Sequence, residues 1–170
     1  VYDTTTLTGE SGRSVRAWLR ERGFAVSEQA DRVLQDYIDE GWVFAAARVS
    51  DPERLGRGRI HSLSFTFPSV SPVYPLRLTG ADQSALELDL YIVADSEMAC
   101  DVLKRRRSGW LFRRGALRDY ATEIKTLHPL LAEYTKGLDY MTILSGTLGP
   151  EEMARDLEFT PAAERPYRPV

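Results

Sequence analysis

A basic segment near the middle of the chain carries the most distinctive chemistry in the sequence. Residues 104–118 contain seven Lys and Arg side chains and no acid, with Trp110 and Phe112 lying among them. Cations interleaved with aromatic rings can bind phosphates, stack on bases or lie on an anionic membrane surface. The candidate residues for such anionic-surface binding are Lys104, Arg105, Arg106, Arg107, Trp110, Arg113 and Arg114.

The overall charge restricts the partners that this segment could bind. Outside the segment there are 15 basic and 25 acidic residues, and the whole chain has a net charge of −3. An acidic domain lacks the positive field expected of a nucleic-acid-binding protein, whose pI often exceeds about 9. Nucleic acid is therefore an unfavoured partner, whereas an anionic membrane surface stays open. The alternative interpretation is an exposed loop and strand whose arginines balance the acidic remainder.

An enzymatic function would depend on carboxylates. Asp36 and Asp39 lie in a predicted helix, and Asp95 lies at the end of a predicted strand, which is the best place among the three for a cleft. A carboxylate-dependent hydrolase would gather such acids in a deep pocket with raised pKa values. The acidic helix face is more simply interpreted as solvated, and no catalytic residue is assigned.

The other reactive side chains form no catalytic, cofactor or metal motif. The string LGRGRIH offers Gly56 and Gly58 of a dinucleotide loop, but His61 occupies the third glycine position and a strand follows. TILSGTLG lacks the glycine that a nucleophile elbow needs two residues before Ser145. The single cysteine, Cys100, excludes an internal disulfide, and two separated histidines disfavour a zinc site. We therefore expect no cofactor and interpret Cys100 as a packing residue.

The hydrophobic pattern that must position these residues predicts an α+β fold. Apolar residues recur at helical spacing in residues 10–23 and 27–41, which predicts an N-terminal helix pair lying on a sheet. The predicted sheet is mixed but largely antiparallel, with a central meander and short C-terminal helices packed on it. Strands are predicted at 1–7, 42–49, 61–67, 73–79, 86–95, 110–112, 139–147 and 157–161, and helical turns at 116–127, from 129 and at 149–156.

Two prolines give the string SPVYPLRLTG a special place in that meander. Pro72 and Pro75 lack amide donors, so they suit the start of a strand or an edge where no ladder bond is lost. A hairpin that turns near Asp82 would place Arg77 opposite Glu87 on one face of the sheet. We therefore expect Arg77 to have a partner within the protein rather than to line a binding site.

The length and hydropathy of the chain predict one domain. A sequence of 170 residues with 43% hydrophobic content suits a single α+β domain over residues 1–160, with a Pro-rich tail or linker at 161–170. The longest apolar run, Trp42–Ala47, is far shorter than the roughly 18 residues of a membrane span. The chain starts at Val1 and enters a strand at once, which favours a fragment or a mature form.

Three parts of the sequence resemble a known bacterial family in their order and spacing. LQDYIDEGWVFAAARV, SPVYPLRLTG followed by LDLYIVAD, and GTLGPEEMARDLEFTP are similar to the family called domain of unknown function 2330. The resemblance extends from YDTTTL to LEFTP. It implies an exported protein, because members usually have a secretory signal and a cysteine-containing portion ahead of this region, and often a membrane anchor behind it.

The resemblance implies no activity, catalytic residue or cofactor. We therefore expect a non-catalytic extracytoplasmic module, secreted or membrane-anchored, of a bacterial envelope protein with a binding or scaffolding role. The sequence identifies no partner; other domains of the same envelope protein and an anionic membrane surface are the candidates. A carboxylate-dependent hydrolase, or binding of lipid or nucleic acid through residues 104–118, is the alternative.

Overall fold

The computed structural model of the chain describes residues 2–50, 63–81, 83–110, 133, 138 and 140–163. Helices and antiparallel strands both occur in these ranges, which confirms the predicted α+β class. In chain order the elements are β1 (Tyr2–Leu7), α1 (Gly12–Glu21), α2 (Ala30–Asp39), β2 (Phe44–Val49), β3 (Val73–Tyr74), α3 (Arg77–Gly80), β4 (Leu86–Ala94), β5 (Met98–Ala99), β6 (Lys104–Trp110), β7 (Tyr140–Leu148), a 3₁₀ turn (Glu152–Ala154), β8 (Leu157–Glu158) and β9 (Thr160–Pro161).

The described residues fall into two compact units, each with its own hydrophobic cluster. The first unit contains the residues up to 68 together with 77–83, and the second contains 69–76 and the residues from 84 onwards. The predicted domain boundary at residue 160 stays a prediction. Backbone pairing extends just beyond it, because Pro161 in β9 pairs with Met98 in β5 and the Ala162 amide donates to the Glu97 carbonyl oxygen at 2.7 Å.

The predicted N-terminal helix pair is confirmed in the first unit. Helix α1 begins at a capping box in which Ser11 and Ser14 each accept a hydrogen bond from the other's backbone amide. Gly12 allows close approach to α2, since its amide donates to the Gln35 side chain at 3.0 Å. The shared core is built on Val15, Ala30 and Leu34. Strand β1 precedes the two helices in the sequence, strand β2 follows them, and the two strands pair antiparallel.

A three-stranded antiparallel sheet organises the second unit, with the strand order β4-β7-β6. The register runs from Leu86 opposite Leu148 to Ala94 opposite Tyr140. The predicted alternation of β4 is confirmed: Leu88 is buried, Leu86, Leu90 and Ile92 pack against the same cluster, and the intervening acids are exposed. The cluster is Leu76, Leu88, Met98, Leu103, Leu144, Leu148, Met153, Leu157 and Phe159.

The predicted central meander is wrong. Residues 63–67 form no regular strand, β3 is two residues long and pairs with β8, and β4 pairs with β7 instead of its neighbour in sequence. The chain leaves the β3 ladder at Pro75, which has no amide donor, and the Leu76 amide donates to the Asp156 side chain at 2.8 Å. A nine-pair ladder with β7 then replaces the short local hairpin.

Arg77 consequently lies in α3, and the predicted pairing with Glu87 is wrong. Its guanidinium instead binds both carboxylate oxygens of Glu40, at 2.8 and 2.5 Å. It also lies 4.0 Å from the centre of the Tyr37 ring, which adds a cation–π contact. The broader expectation of a partner within the protein is confirmed. The predicted helical segments at 116–127 and from 129 lie outside the described residues, apart from Glu133.

Candidate anion-binding surface

Strand β6 contains the basic residues that the sequence singled out. It pairs antiparallel with β7 and, among the described residues, forms one edge of the three-stranded sheet. Lys104 lies opposite Ser145, Arg105 opposite Leu144, and Arg107 opposite Ile143. The backbone of Trp110 ends this strand, whereas Arg113 and Arg114 lie outside the described residues. The structure therefore gives positions to the four consecutive cations and not to the complete candidate set.

The register of β7 assigns each β6 side chain to a face of the sheet. Thr142 and Leu144 of β7 are almost completely buried, so their side chains lie on the core face. Neighbours directly opposite each other in a ladder point to the same side, which puts Arg105 and Ser108 on the core face as well. Lys104 and Arg107 fall on the other side, called here the outer face.

A β-bulge places a third cation on the outer face. The register shifts between Arg105 and Arg107, so Arg106 is an extra residue in the ladder. Its guanidinium Nη1 lies 3.8 Å from Oδ1 of Asp89, an outer-face residue of β4. The long side chain therefore extends across β7, where Ser145 is small. Lys104, Arg106 and Arg107, all exposed to solvent, form what we call the outer cation row.

Arg105 has a different role, because it belongs to a polar network on the core face. Its guanidinium donates to Glu97 Oε1, and the Ser108 hydroxyl donates to Glu97 Oε2 at 2.8 Å. The Tyr140 hydroxyl donates to the same Oε2 at 3.2 Å. Glu97 is held in place by its own neighbour, since the Met98 amide donates to Oγ1 of the buried Thr142 at 3.0 Å.

The network changes the acidity of its carboxyl group. Burial raises the pKa of the Glu97 carboxyl. The hydrogen bonds from Ser108, Arg105 and Tyr140, together with the positive charge of Arg105, lower that pKa by more, so the pKa lies below its usual value. Glu97 is therefore a carboxylate at neutral pH, and the charge of Arg105 is matched within the protein.

The outer face also contains aromatic and aliphatic side chains. Tyr91, Ile143 and Arg107 lie directly opposite one another across the three strands, and Tyr91 is 67% exposed. The next cross-strand pair, Val93 and Met141, is half-buried. The acids of this face, Glu87 and Asp89, lie towards the start of β4. The outer face thus has an acidic end and an end that is aromatic and aliphatic, with cations along its β6 margin.

The candidate catalytic carboxylates and the cysteine all lie outside strands β4, β6 and β7. Asp36 and Asp39 are exposed on α2 in the first unit, where Gln35 donates to Asp39 at 2.8 Å, and Asp95 is exposed in the second unit. The half-buried thiol of Cys100 lies 3.7 Å from the neighbouring Asp101 carboxylate. Within the part of the chain that the structure describes, there is no cluster of three or more His, Cys, Asp or Glu positioned for a metal ion. Among those same residues, no helix has the length and hydropathy to cross a membrane.

Sequence reasoning missed Glu97 and the bulge. Glu97 lies eight residues before Arg105 and eleven before Ser108, and no repeat or spacing in the sequence connects them. The bulge is a property of pairing with β7, which is more than 30 residues away in the chain. The one local signal is the run of four consecutive cations. In a strand, alternation turns some of them towards the core, and a buried cation needs an acidic partner.

The described part of the second unit is therefore built on antiparallel strands, and its edge strand β6 presents a row of cations on the same face of the sheet as the exposed Tyr91 of β4. Residues 1–160 match DUF2330, described as an uncharacterised protein conserved in bacteria, and the chain belongs to this family. The resemblance noted in the sequence is thereby confirmed. Neither a curated protein nor a solved structure matched the chain.

Proposed function

We propose that this chain is a non-catalytic binding or scaffolding module of an extracytoplasmic bacterial protein, and that it binds an anionic surface through the outer cation row. The observation that supports the binding role is that Lys104, Arg106 and Arg107 share one face while Arg105 does not. The extracytoplasmic part of the proposal rests on the secretory signal that the family resemblance implies.

Local charge governs this binding, even though the whole chain is acidic. At physiological ionic strength the Debye length is about 8 Å, so the charge of any acid farther than that from a ligand at β6 is largely screened. Asp89, whose Oδ1 lies 3.8 Å from Nη1 of Arg106, offsets part of one charge of the row. Lys104 and Arg107 have no ion-pair partner among the described residues, so their charges are available to a ligand.

Chromatography on immobilised heparin tests the binding role. A chain with a net charge of −3 should pass through such a column unless a local basic surface retains it. We expect the full chain to be retained at low salt and released by added salt, because exposed ion pairs weaken with screening. The variant Lys104→Gln, Arg106→Gln, Arg107→Gln should elute at clearly lower salt.

A second triple variant provides a control for net charge. Arg13, Arg20 and Arg32 are exposed in the helix pair of the first unit, and their replacement by Gln removes the same three charges. This control should elute as the wild type does. Elution of the wild type in the flow-through, or equal shifts for the two triple variants, would refute binding through the outer cation row.

A further inference from the structure

We infer that the surface bound by the outer cation row is an anionic phospholipid bilayer, and that Tyr91 and the aliphatic end of the outer face enter its headgroup region. This inference rests on the proposed function and assigns its partner. It depends on side chains that charge recognition alone does not need, namely Tyr91, Ile143, Val93 and Met141.

The mixture of side chains on the outer face fits a lipid better than a polyanion. Tyr91 is 67% exposed and lies in one cross-strand row with Ile143 and Arg107. Tyrosine is enriched at membrane–water interfaces because its ring is apolar and its hydroxyl is polar. Aliphatic side chains such as Ile143 and Met141 gain free energy only from a partner that offers hydrocarbon.

The cations are placed so that they can act together with these apolar groups. Arg107 lies opposite Ile143, which in turn lies opposite Tyr91. The bulge places Arg106 next to Arg107 on the same face. Lys and Arg can lay their aliphatic stems on an apolar surface while their charged ends reach the headgroup phosphates. Each cation near an anionic leaflet strengthens attachment by about fivefold, so three cations give on the order of a hundredfold.

The acids of the outer face give the contact a direction. Glu87 and Asp89 lie at the start of β4, whereas Val93 and Met141 lie on the other side of Tyr91 and Ile143. Anionic lipid repels those carboxylates and attracts the β6 margin, including Lys104 at the level of Asp89, so the sheet should meet the bilayer tilted, with the β6 margin and the Val93–Met141 pair towards the lipid. An open sheet face suits an extended surface, whereas a small anionic ligand is usually enclosed in a concave pocket.

Vesicle co-sedimentation of the full chain tests this inference. The probes are vesicles of phosphatidylcholine containing phosphatidylglycerol, and vesicles of phosphatidylcholine alone. We expect binding to the anionic vesicles alone, a loss on the order of a hundredfold for the outer-row triple variant, and no loss for the Arg13, Arg20, Arg32 control. Far-ultraviolet circular dichroism and thermal melting confirm that each variant folds.

Replacement of the tyrosine separates lipid from other anionic partners. Tyr91→Thr keeps a residue that favours strands and should weaken vesicle binding by on the order of fivefold, because part of the ring leaves water on binding. The elution from heparin should stay unchanged. Tyr74→Thr makes the same exchange at a partly exposed tyrosine of β3 and should leave both measurements unchanged.

The possible outcomes distinguish this inference from the proposed function. Retention on heparin without binding to anionic vesicles would overturn the lipid assignment and leave the proposed function standing. Unchanged vesicle binding in Tyr91→Thr, or tighter binding to a single-stranded oligonucleotide than to the vesicles, would also overturn it. Failure of the wild type in both the heparin and the vesicle assay would refute the proposed function itself.

Discussion

Glu97→Gln should destabilise the protein at neutral pH, and the loss should shrink in acid. Glu97 is the carboxylate on which Arg105, Ser108 and Tyr140 converge. Glutamine keeps the shape of the side chain but has one acceptor oxygen and one NH₂ donor in place of two acceptors. If the NH₂ faces the guanidinium, two donor groups meet; if it faces the hydroxyls, they must turn to accept from it, and Arg105 is left with a neutral amide oxygen instead of a carboxylate.

The expected magnitude follows from the exposure and the contacts of the network. The side chains of Arg105 and Glu97 are 34% and 24% exposed, so their ion pair is worth about 1 kcal/mol. The weakened hydroxyl hydrogen bonds add about 0.5–1 kcal/mol. We expect a total loss of about 2 kcal/mol in the free energy of unfolding, which is about 4–8 °C in Tm for a chain of this size. Glu87→Gln removes an exposed carboxylate from the same sheet and should change the free energy by less than about 0.5 kcal/mol.

The sign of the pH dependence follows from the lowered pKa of Glu97. Folding holds the pKa of this carboxyl below its ordinary value of 4.5, so the stabilisation is complete above about pH 4.5 and is lost as the pH falls through the folded pKa. Urea unfolding of the wild type and Glu97→Gln between about pH 7 and pH 3 measures the difference. The pKa of Asp31 is also lowered, by the hydrogen bond from Arg16, but Asp31 is present in both proteins. Its contribution therefore drops out of the difference in unfolding free energy between them. A gap between the two proteins that stays constant or widens towards pH 3 would refute the reasoning.

The remaining predictions concern the helix pair and the location of the protein. Gly12→Ala would place a Cβ 2.1 Å from the Asp31 carbonyl oxygen and 2.8 Å from the Gln35 nitrogen, so the helices must separate and urea unfolding should show a loss of about 2–3 kcal/mol. Gly23→Ala meets no atom of the described residues within 4 Å but has φ +80°, and should cost only about 1 kcal/mol; equal losses would contradict the packing argument. An epitope tag inserted into the full-length gene product directly after residue 170, ahead of any segment that follows, should be cleaved by protease added to spheroplasts; protection until lysis would overturn the extracytoplasmic proposal.

The features that could be predicted from the sequence are those set by local periodicity. Side chains of a strand alternate between faces, so the pattern of Leu88 against Asp89 is enough to identify the buried side of β4. The helix pair is predictable for the same reason, because Ala30 and Leu34 repeat at helical spacing and both are buried. Periodicity determines which face of an element is buried, and it needs no knowledge of the partner.

The pairing of the strands could not be predicted, because alternation shows which face of a strand is buried but not which other strand it pairs with. Several predicted segments have the alternation or apolar content to pair with β4, and proximity along the chain favours the nearest of them. The structure selects β7, whose ladder with β4 extends over nine pairs from Leu86 to Ala94. The nearer segment cannot compete at that length, because Pro75 removes a donor and Arg77 is already committed to Glu40 in the first unit.

The position of the bulge explains why the basic segment has two roles. Without the register shift, strict alternation from Lys104 would put both Arg105 and Arg107 on the core face and turn Ser108 outwards. Glu97 offers one carboxylate to that face, and it is already bound by Arg105 and Ser108. A second guanidinium there would be a partly buried cation without an acid, which is costly. The shift at Arg106 keeps Ser108 inside, turns Arg107 outwards and leaves three of the four consecutive cations on the face that we propose meets the lipid.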